Sequence, residues 1–139
     1  MILDIYKRVV LFKLLFLIVV SCNNINTDTN IYGNWKGFQV GHELSFIFKS
    51  DHTCVLEIFD KQTNKYETIN GNYELNFSKI PISLSIHNVP QLNHPLYTII
   101  EFISDDSIRI AQFSPQWRLR PITFNNNTTM VLGLMGDDE

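Results

Sequence analysis

The residues that could do chemistry are few and scattered along the chain. The four histidines are His42, His52, His87 and His94. None of them shows the His-x-His or His-x-x-x-His spacing that places two metal ligands on one face of a strand or helix. We therefore expect no metal site and no cofactor.

The sequence also lacks a recognisable catalytic motif. Asp105 and Asp106 are adjacent carboxylates, but an Asp-Asp-Ser sequence between two apolar runs is typical of a hairpin turn. The chain contains no nucleophile elbow, no phosphate-cradling glycine loop and no zinc-protease motif. We expect a protein that is not an enzyme.

The two cysteines, Cys22 and Cys54, have different surroundings. Cys54 alternates with Leu56 and Ile58, which predicts a thiol buried on the inner face of a strand. Cys22 follows a basic pair, Lys7 and Arg8, and a mainly apolar run over residues 9–20. That run has the length of a signal peptide and is shorter than the ~20 residues of a membrane-spanning helix.

The four residues Val19-Val20-Ser21-Cys22 resemble the lipobox of bacterial lipoproteins. The resemblance implies that the Cys22 thiol is acylated, that the bond before it is cleaved, and that the lipid attaches the protein to a membrane. It places the mature protein in the bacterial cell envelope on the extracytoplasmic side. Asn23 in place of aspartate favours the outer membrane in a cell that has two. The alternatives are an uncleaved anchor and a soluble protein with an apolar first helix.

The sequence divides into four segments. Residues 1–21 are the predicted signal peptide, residues 22–30 a lipidated, Asn-rich tether with almost nothing to bury, residues 31–134 the folded domain and residues 135–139 an acidic tail. The full chain has a net charge of −3. Without residues 1–21 it holds 8 basic and 13 acidic side chains, a net charge of −5. This acidic balance excludes a basic nucleic-acid-binding surface.

The composition predicts an all-β domain. The chain has one alanine, Ala111, and 10 phenylalanines, whereas helices favour alanine and sheets favour β-branched and aromatic residues. Apolar and polar residues alternate over residues 43–49, 53–59, 66–75 and 82–87, and further strands are expected over 96–103, 108–111 and 128–132. Gly71 interrupts one strand and marks either a bulge or a close backbone approach. About eight strands with turns every 8–14 residues predict an antiparallel up-and-down meander that closes into a barrel.

A barrel of eight strands can be filled by side chains or can hold one small ligand. The large side chains expected inside it belong to six residues. They are Trp35, Phe46, Phe48, Leu56, Tyr73 and Ile86. These six are our candidate ligand-binding residues, although a filled core would use the same side chains.

Gly33-Asn34-Trp35 resembles the Gly-x-Trp signature of the lipocalin superfamily, at the start of the first strand as in that superfamily. The resemblance implies that Trp35 closes one barrel end and that an arginine from a late strand stacks on its indole. The candidates are Arg109, Arg118 and Arg120. The order of motifs over residues 31–134 also resembles small lipocalin-like domains of uncharacterised bacterial lipoproteins, a resemblance that implies the fold and brings no ligand.

Residues 113–121 contain Trp117, Arg118 and Arg120 in an irregular, proline-bounded segment of an otherwise acidic domain. Tryptophan and arginine are enriched at binding hot spots, so these three residues are our candidate partner-binding residues. The structural alternative is that Trp117 caps a barrel end and an arginine stacks on Trp35. We therefore expect an interaction module that binds a protein partner, with a binder of a small apolar ligand as the alternative.

Overall fold

The structure is a computed structural model that describes residues 30–39 and 41–136, and these residues form an eight-stranded antiparallel β-barrel. The strands are β1 (Gly33–Gln39), β2 (His42–Phe48), β3 (Thr53–Asp60), β4 (Lys65–Asn76), β5 (Ile82–His87), β6 (Leu96–Ser104), β7 (Ser107–Ile110) and β8 (Met130–Leu134). Each strand pairs with the next along the chain, and β8 pairs with β1 to close the barrel. The predicted all-β meander and its closure into a barrel are confirmed.

Because consecutive strands run in opposite directions, the connections alternate between the two ends of the barrel. The N-terminal end carries residues 30–32, the turns 49–52, 77–81 and 105–106, and residues 135–136. The loop end carries the turn at Gly41, the turn 61–64, the loop 88–95 and the segment 111–129. The two longest connections thus lie at the same end.

The core forms because inward side chains alternate with outward ones along each strand. On β2, Leu44, Phe46 and Phe48 point inward and are buried. Phe46 pairs with Trp35 on one side and with Leu56 on the other, so large side chains meet across three neighbouring strands. All six residues expected inside the barrel are buried.

Two glycines sit where strands approach closely. A Cβ atom on Gly37 would lie 2.7 Å from Leu132 Cδ2 and would also meet the backbone carbonyl oxygen of Val131, at the β1–β8 closure. A Cβ atom on Gly71 would lie 2.6 Å from Ile86 Cγ2. Gly71 keeps regular pairing with Cys54. Of the two interpretations of Gly71, the close approach is therefore correct, and the bulge is not.

The last strand lies two residues later than expected. The prediction was 128–132, whereas β8 spans Met130–Leu134. The backbone N–H groups of Thr128 and Thr129 donate to the carbonyl oxygen of Asn125 at 3.0 and 2.9 Å, and the Thr129 hydroxyl donates to the same oxygen at 2.7 Å. These backbone N–H groups are therefore used in a local turn and do not pair with a neighbouring strand.

Candidate functional site

An apolar cavity of about 260 Å³ lies inside the barrel at the loop end. Its walls come from the strands and its cover from the two long connections. The wall residues are Leu44, Phe46, Leu56, Ile58, Ile69, Leu96 and Met130, the covering residues are Leu92 and Phe113, and two glutamines, Gln39 and Gln112, complete the lining. The cavity is partly open to solvent.

The side chains that line the cavity disfavour a charged ligand. Among the described residues that line the cavity, none has an ionisable side chain, and the only polar side chains are the two amides. The Gln39 amide Nε2 donates to the Thr128 carbonyl oxygen at 3.1 Å, which fixes this side chain beside the segment that leads into β8. A charged ligand would lose its hydration here without gaining a charged partner, whereas an apolar surface is stabilised by leaving water.

The six candidate ligand-binding residues divide between this cavity and the solid core. Phe46 and Leu56 line the cavity. The other four, Trp35, Phe48, Tyr73 and Ile86, are buried without lining it. Alternation places all six inside the barrel but does not say where along the barrel axis the interior is left unfilled. The covering residues Leu92 and Phe113 come from irregular segments and carry no periodic signal.

Aromatic packing fills the N-terminal half of the interior. The rings of Phe48 and Tyr73 meet edge to face at 5.0 Å. The Tyr73 hydroxyl donates to the Lys49 carbonyl oxygen at 2.9 Å, and burial raises the pKa of Tyr73 to about 12. The Trp35 indole Nε1 donates to the Ile31 carbonyl oxygen at 2.7 Å. The barrel therefore has one closed end and one cavity-bearing end.

The expected arginine stack on Trp35 is wrong. Arg109 lies over Phe124 at 4.2 Å, Arg118 over Trp117 at 5.5 Å and Arg120 over Tyr97 at 5.2 Å. Arg109 points outward because it alternates with the buried Ile108 and Ile110 on β7, and it pairs there with Glu101. The three arginines thus stack on aromatic rings outside the barrel.

The segment 111–124, which we call the strap, first continues from β7 beside β6 and then crosses the outer face of β5 and β6, where Arg120 contacts Ser85 and Tyr97. Ser114 and Tyr97 exchange backbone hydrogen bonds of 2.8 and 2.9 Å. Arg120 Nη2 donates to Ser85 Oγ at 2.6 Å. Ile99 points outward from β6 yet is only 2% exposed, and its carbonyl oxygen accepts a hydrogen bond from the Ala111 N–H at 3.1 Å, where the strap begins.

The strap presents an apolar surface to solvent. Trp117 and Leu119 are each 65% exposed and Ile122 is 81% exposed. The alternative in which Trp117 caps a barrel end is therefore wrong, because its side chain is mostly in solvent. Trp117 and Arg118 are accessible to a partner, whereas Arg120 is half-buried and holds the strap to β5 and β6.

The other residues that could take part in chemistry, the cysteine and the histidines of the barrel, do not form a cluster. Cys54 is 1% exposed, and burial raises the pKa of its thiol to about 12. His52 and His94 are exposed on turns at opposite ends of the barrel. Within residues 30–39 and 41–136, no three His, Cys, Asp or Glu side chains are grouped closely enough to hold a metal ion.

The fold and its cavity define a closed eight-stranded antiparallel β-barrel with an apolar pocket at one end. No family model, curated protein or solved structure matches this chain. Among the described residues, no helix has the length and apolar character needed to cross a membrane. Cys22, the signal peptide and most of the tether lie outside the described residues, so lipidation stays a prediction.

Proposed function

We propose that this protein is a lipid-anchored, non-enzymatic binding protein of the bacterial cell envelope that holds a small, uncharged, apolar molecule in a lipocalin-like barrel. The observation that carries the proposal is the cavity of about 260 Å³, whose lining within residues 30–39 and 41–136 has no ionisable side chain. Ligand pockets in proteins combine a mainly apolar wall with a few polar groups that orient the ligand. Gln39 and Gln112 are suited to that orienting role.

The size of the cavity limits the ligand. Pockets for drug-sized molecules measure about 300–1,000 Å³, and this cavity is slightly smaller. We infer a ligand smaller than a drug-sized molecule, such as a short acyl chain with an uncharged polar end or a compact ring compound.

Two features support the lipocalin-like assignment. Trp35, from Gly33-Asn34-Trp35, is buried at the closed end of the barrel, which is the place that the resemblance implies. The strands follow a simple up-and-down order around the barrel. One feature departs from the lipocalin pattern: none of the three candidate arginines stacks on Trp35. The indole N–H donates to the Ile31 carbonyl oxygen.

Native mass spectrometry of protein purified from its own cells tests ligand binding. The expected result is an added mass of one small molecule per chain, reduced in a Leu56→Trp variant in which the new side chain occupies the cavity. Apo protein from every preparation, together with no uptake of apolar compounds, would contradict the proposal.

The exposed strap favours a second function, recognition of a protein partner. Trp117, Leu119 and Ile122 are exposed apolar residues within six positions of the strap, and Arg118 lies between the first two in sequence. Exposed tryptophan and arginine side chains are enriched at interaction sites. Trp117→Ala and Arg118→Glu should abolish capture of a partner without changing the melting temperature. Phe38→Ala, which alters an exposed ring on β1, is the matched control and should leave capture intact.

The anchor is tested separately from the barrel. Because the Cys22 thiol is the proposed acylation site, Cys22→Ser should abolish both labelling by a fatty-acid analogue and partitioning into detergent. Cys54→Ser is the matched control and should leave both unchanged. Labelling of the Cys22→Ser variant at the wild-type level would contradict the lipoprotein assignment.

A further inference from the structure

The N-terminal end of the barrel exposes several large apolar side chains to solvent. Six large side chains at this end lie partly or fully in solvent. They are Tyr32, Phe77, Ile80, Ile103, Leu134 and Met135. They belong to the residue before β1, to the end of β8 and the residue after it, to the turn 77–81 and to the end of β6 before the turn 105–106. The remaining turn at this end, 49–52, is polar.

The most exposed of these side chains belong to the β4–β5 turn, residues 77–81. The backbone N–H and the hydroxyl of Ser78 donate to Asn76 Oδ1 at 3.0 and 2.6 Å, and these bonds fix the start of the turn. Phe77 is half exposed, and Ile80 is 99% exposed, so it has almost no contact with the rest of the barrel. The charged side chain of the turn is the cationic Lys79. The turn thus presents two apolar side chains and one positive charge to whatever lies beyond it.

The chain reaches the barrel at this same end. Asn30 is eight residues after Cys22, and eight residues span at most about 28 Å when fully extended. A seven-residue strand such as β1 is itself roughly 23 Å long. A lipid on Cys22 therefore reaches a membrane most directly when the N-terminal end faces that membrane, whereas the opposite orientation uses most of the tether to pass along the barrel.

We propose that the N-terminal end of the barrel docks on the lipid bilayer, with Phe77 and Ile80 inserted into the interfacial region. The inference rests on the lipid anchor of the proposed function. Apolar and aromatic side chains favour the interface because part of their surface leaves water. The other turns of this end carry Asp51, Asp105 and Asp106 together with Lys49. Because positive and negative charges are mixed, the surface fits neutral or zwitterionic headgroups better than strongly anionic ones.

The docked orientation directs the cavity away from the membrane. The loop end is opposite the N-terminal end, so the cavity at the loop end is held on the aqueous side of the docked barrel. A ligand then enters and leaves through water and not from the bilayer on which the protein stands. The inference thus assigns the ligand to the water-borne class and excludes a lipid drawn directly from that membrane.

The test uses the full lipidated protein reconstituted on phosphatidylcholine vesicles. A polarity-sensitive fluorophore is attached to a cysteine introduced as Ile80→Cys or, for the loop end, as Gln62→Cys. Gln62 is exposed on the turn 61–64. Cys54 is buried with a raised thiol pKa and an acylated Cys22 has no free thiol, so each label reports one position.

At position 80 the expected result is a blue shift of the emission and a loss of intensity when nitroxide-labelled lipid is added. At position 62 neither change is expected. Two results overturn the inference while leaving the anchor intact: vesicle-bound protein in which both labels stay aqueous, or in which the label at 62 alone is quenched.

Failure of the anchor itself gives a different result. Wild-type protein would then take up label on Cys22 and would not float with the vesicles, and the docking inference would fail together with the anchor.

A matched pair of variants tests whether the apolar side chains make the contact. Phe77→Ser should reduce the blue shift at position 80, whereas Phe38→Ser, which removes an exposed ring elsewhere, should not. An equal effect of the two variants would overturn the role of the turn.

Discussion

The indole Nε1 of Trp35 donates a hydrogen bond to the carbonyl oxygen of Ile31 at 2.7 Å, and both residues are buried. This bond connects the first strand to the residues just before it, at the closed end of the barrel. It satisfies the indole N–H and one backbone carbonyl in the core, where an unpaired polar group is costly. The buried indole is thus satisfied by a local contact, while Arg109, Arg118 and Arg120 stack on other rings.

Substitution of Trp35 should strongly destabilise the domain. Trp35→Ala removes a fully buried side chain, and we expect a loss of about 3–5 kcal/mol in the free energy of unfolding. Trp35→Phe keeps most of the packing but leaves the Ile31 carbonyl unpaired, and it should cost about 1–3 kcal/mol. Denaturant unfolding measures both losses. Equal stability of Trp35→Phe and wild type would show that the hydrogen bond contributes nothing.

The buried thiol of Cys54 makes stability depend on pH in the alkaline range. Its pKa is raised from about 9 to about 12 in the folded state. Between these values the unfolded thiol ionises and the folded thiol does not, so rising pH favours unfolding. In a Cys22→Ser background, the unfolding free energy should fall by up to about 1.4 kcal/mol per pH unit more steeply with Cys54 than with Cys54→Ala.

A thiol reagent checks the same burial directly. Ellman's reagent should not react with Cys54 in the native Cys22→Ser protein and should react fully after denaturation. Rapid reaction of the native protein, or an identical alkaline slope in the Cys54→Ala variant, would contradict the assignment of Cys54 to the core.

Gly37 and Gly133 form a matched pair that tests the closure between β1 and β8. The methyl group of Gly37→Ala would collide with Leu132 and with the Val131 carbonyl oxygen, and we expect a loss of about 1–3 kcal/mol. The Cβ atom of Gly133→Ala would lie 3.9 Å from the Asp106 carbonyl oxygen, an ordinary contact. That variant should be neutral or gain about 0.4–1 kcal/mol, because alanine restricts the unfolded chain. Equal melting temperatures of the two variants would contradict the closed barrel.

Most of the strands follow from the sequence because alternation has a physical cause. A strand such as β2 buries Leu44, Phe46 and Phe48 on one face, and a shift by one residue would expose all three. The hairpin at Asp105 and Asp106 follows in the same way from turn chemistry. These features depend on residues that are close together in the chain, so a local sequence pattern predicts them.

The strap and the cavity depend on contacts between distant parts of the chain. Arg120 binds Ser85, which is 35 residues away, and no local pattern connects them. The cavity depends on the meeting of Leu92 and Phe113 from two irregular segments. The arginine stack on Trp35, which the lipocalin resemblance implies, and the capping role considered as the alternative for Trp117 also depend on distant contacts, and both are wrong.

Arg120 should control the order of the strap. Its guanidinium donates to Ser85 Oγ and lies over the Tyr97 ring, and loss of both contacts should cost about 1–2 kcal/mol. In Arg120→Ala, hydrogen exchange of residues 111–124 should be roughly tenfold faster than in wild type. Arg118→Ala is the control and should not change the exchange, because Arg118 is exposed and lies over the exposed ring of Trp117. No acceleration in Arg120→Ala would contradict this role.

Two substitutions should fill the cavity by different routes. Leu56→Trp enlarges a wall residue on β3, and Leu92→Trp enlarges a covering residue on the loop 88–95. We expect both to weaken binding of an apolar ligand by at least about tenfold, which corresponds to about 1.4 kcal/mol. Leu92→Trp leaves the strands unchanged, so it separates loss of the cavity from loss of the fold. Trp117→Ala is the control and should bind like wild type.

The most direct measurement of the central claim is a fluorescence titration with N-phenyl-1-naphthylamine, an uncharged apolar probe. The account predicts a saturable increase with one site per chain for wild type and Trp117→Ala, and weaker binding for Leu56→Trp and Leu92→Trp. It also predicts that the anionic analogue 8-anilino-1-naphthalenesulfonate binds more weakly, because the cavity lining offers no cation. Absence of saturable binding to wild type, or equal binding to the two cavity-filling variants, would contradict a ligand site inside the barrel.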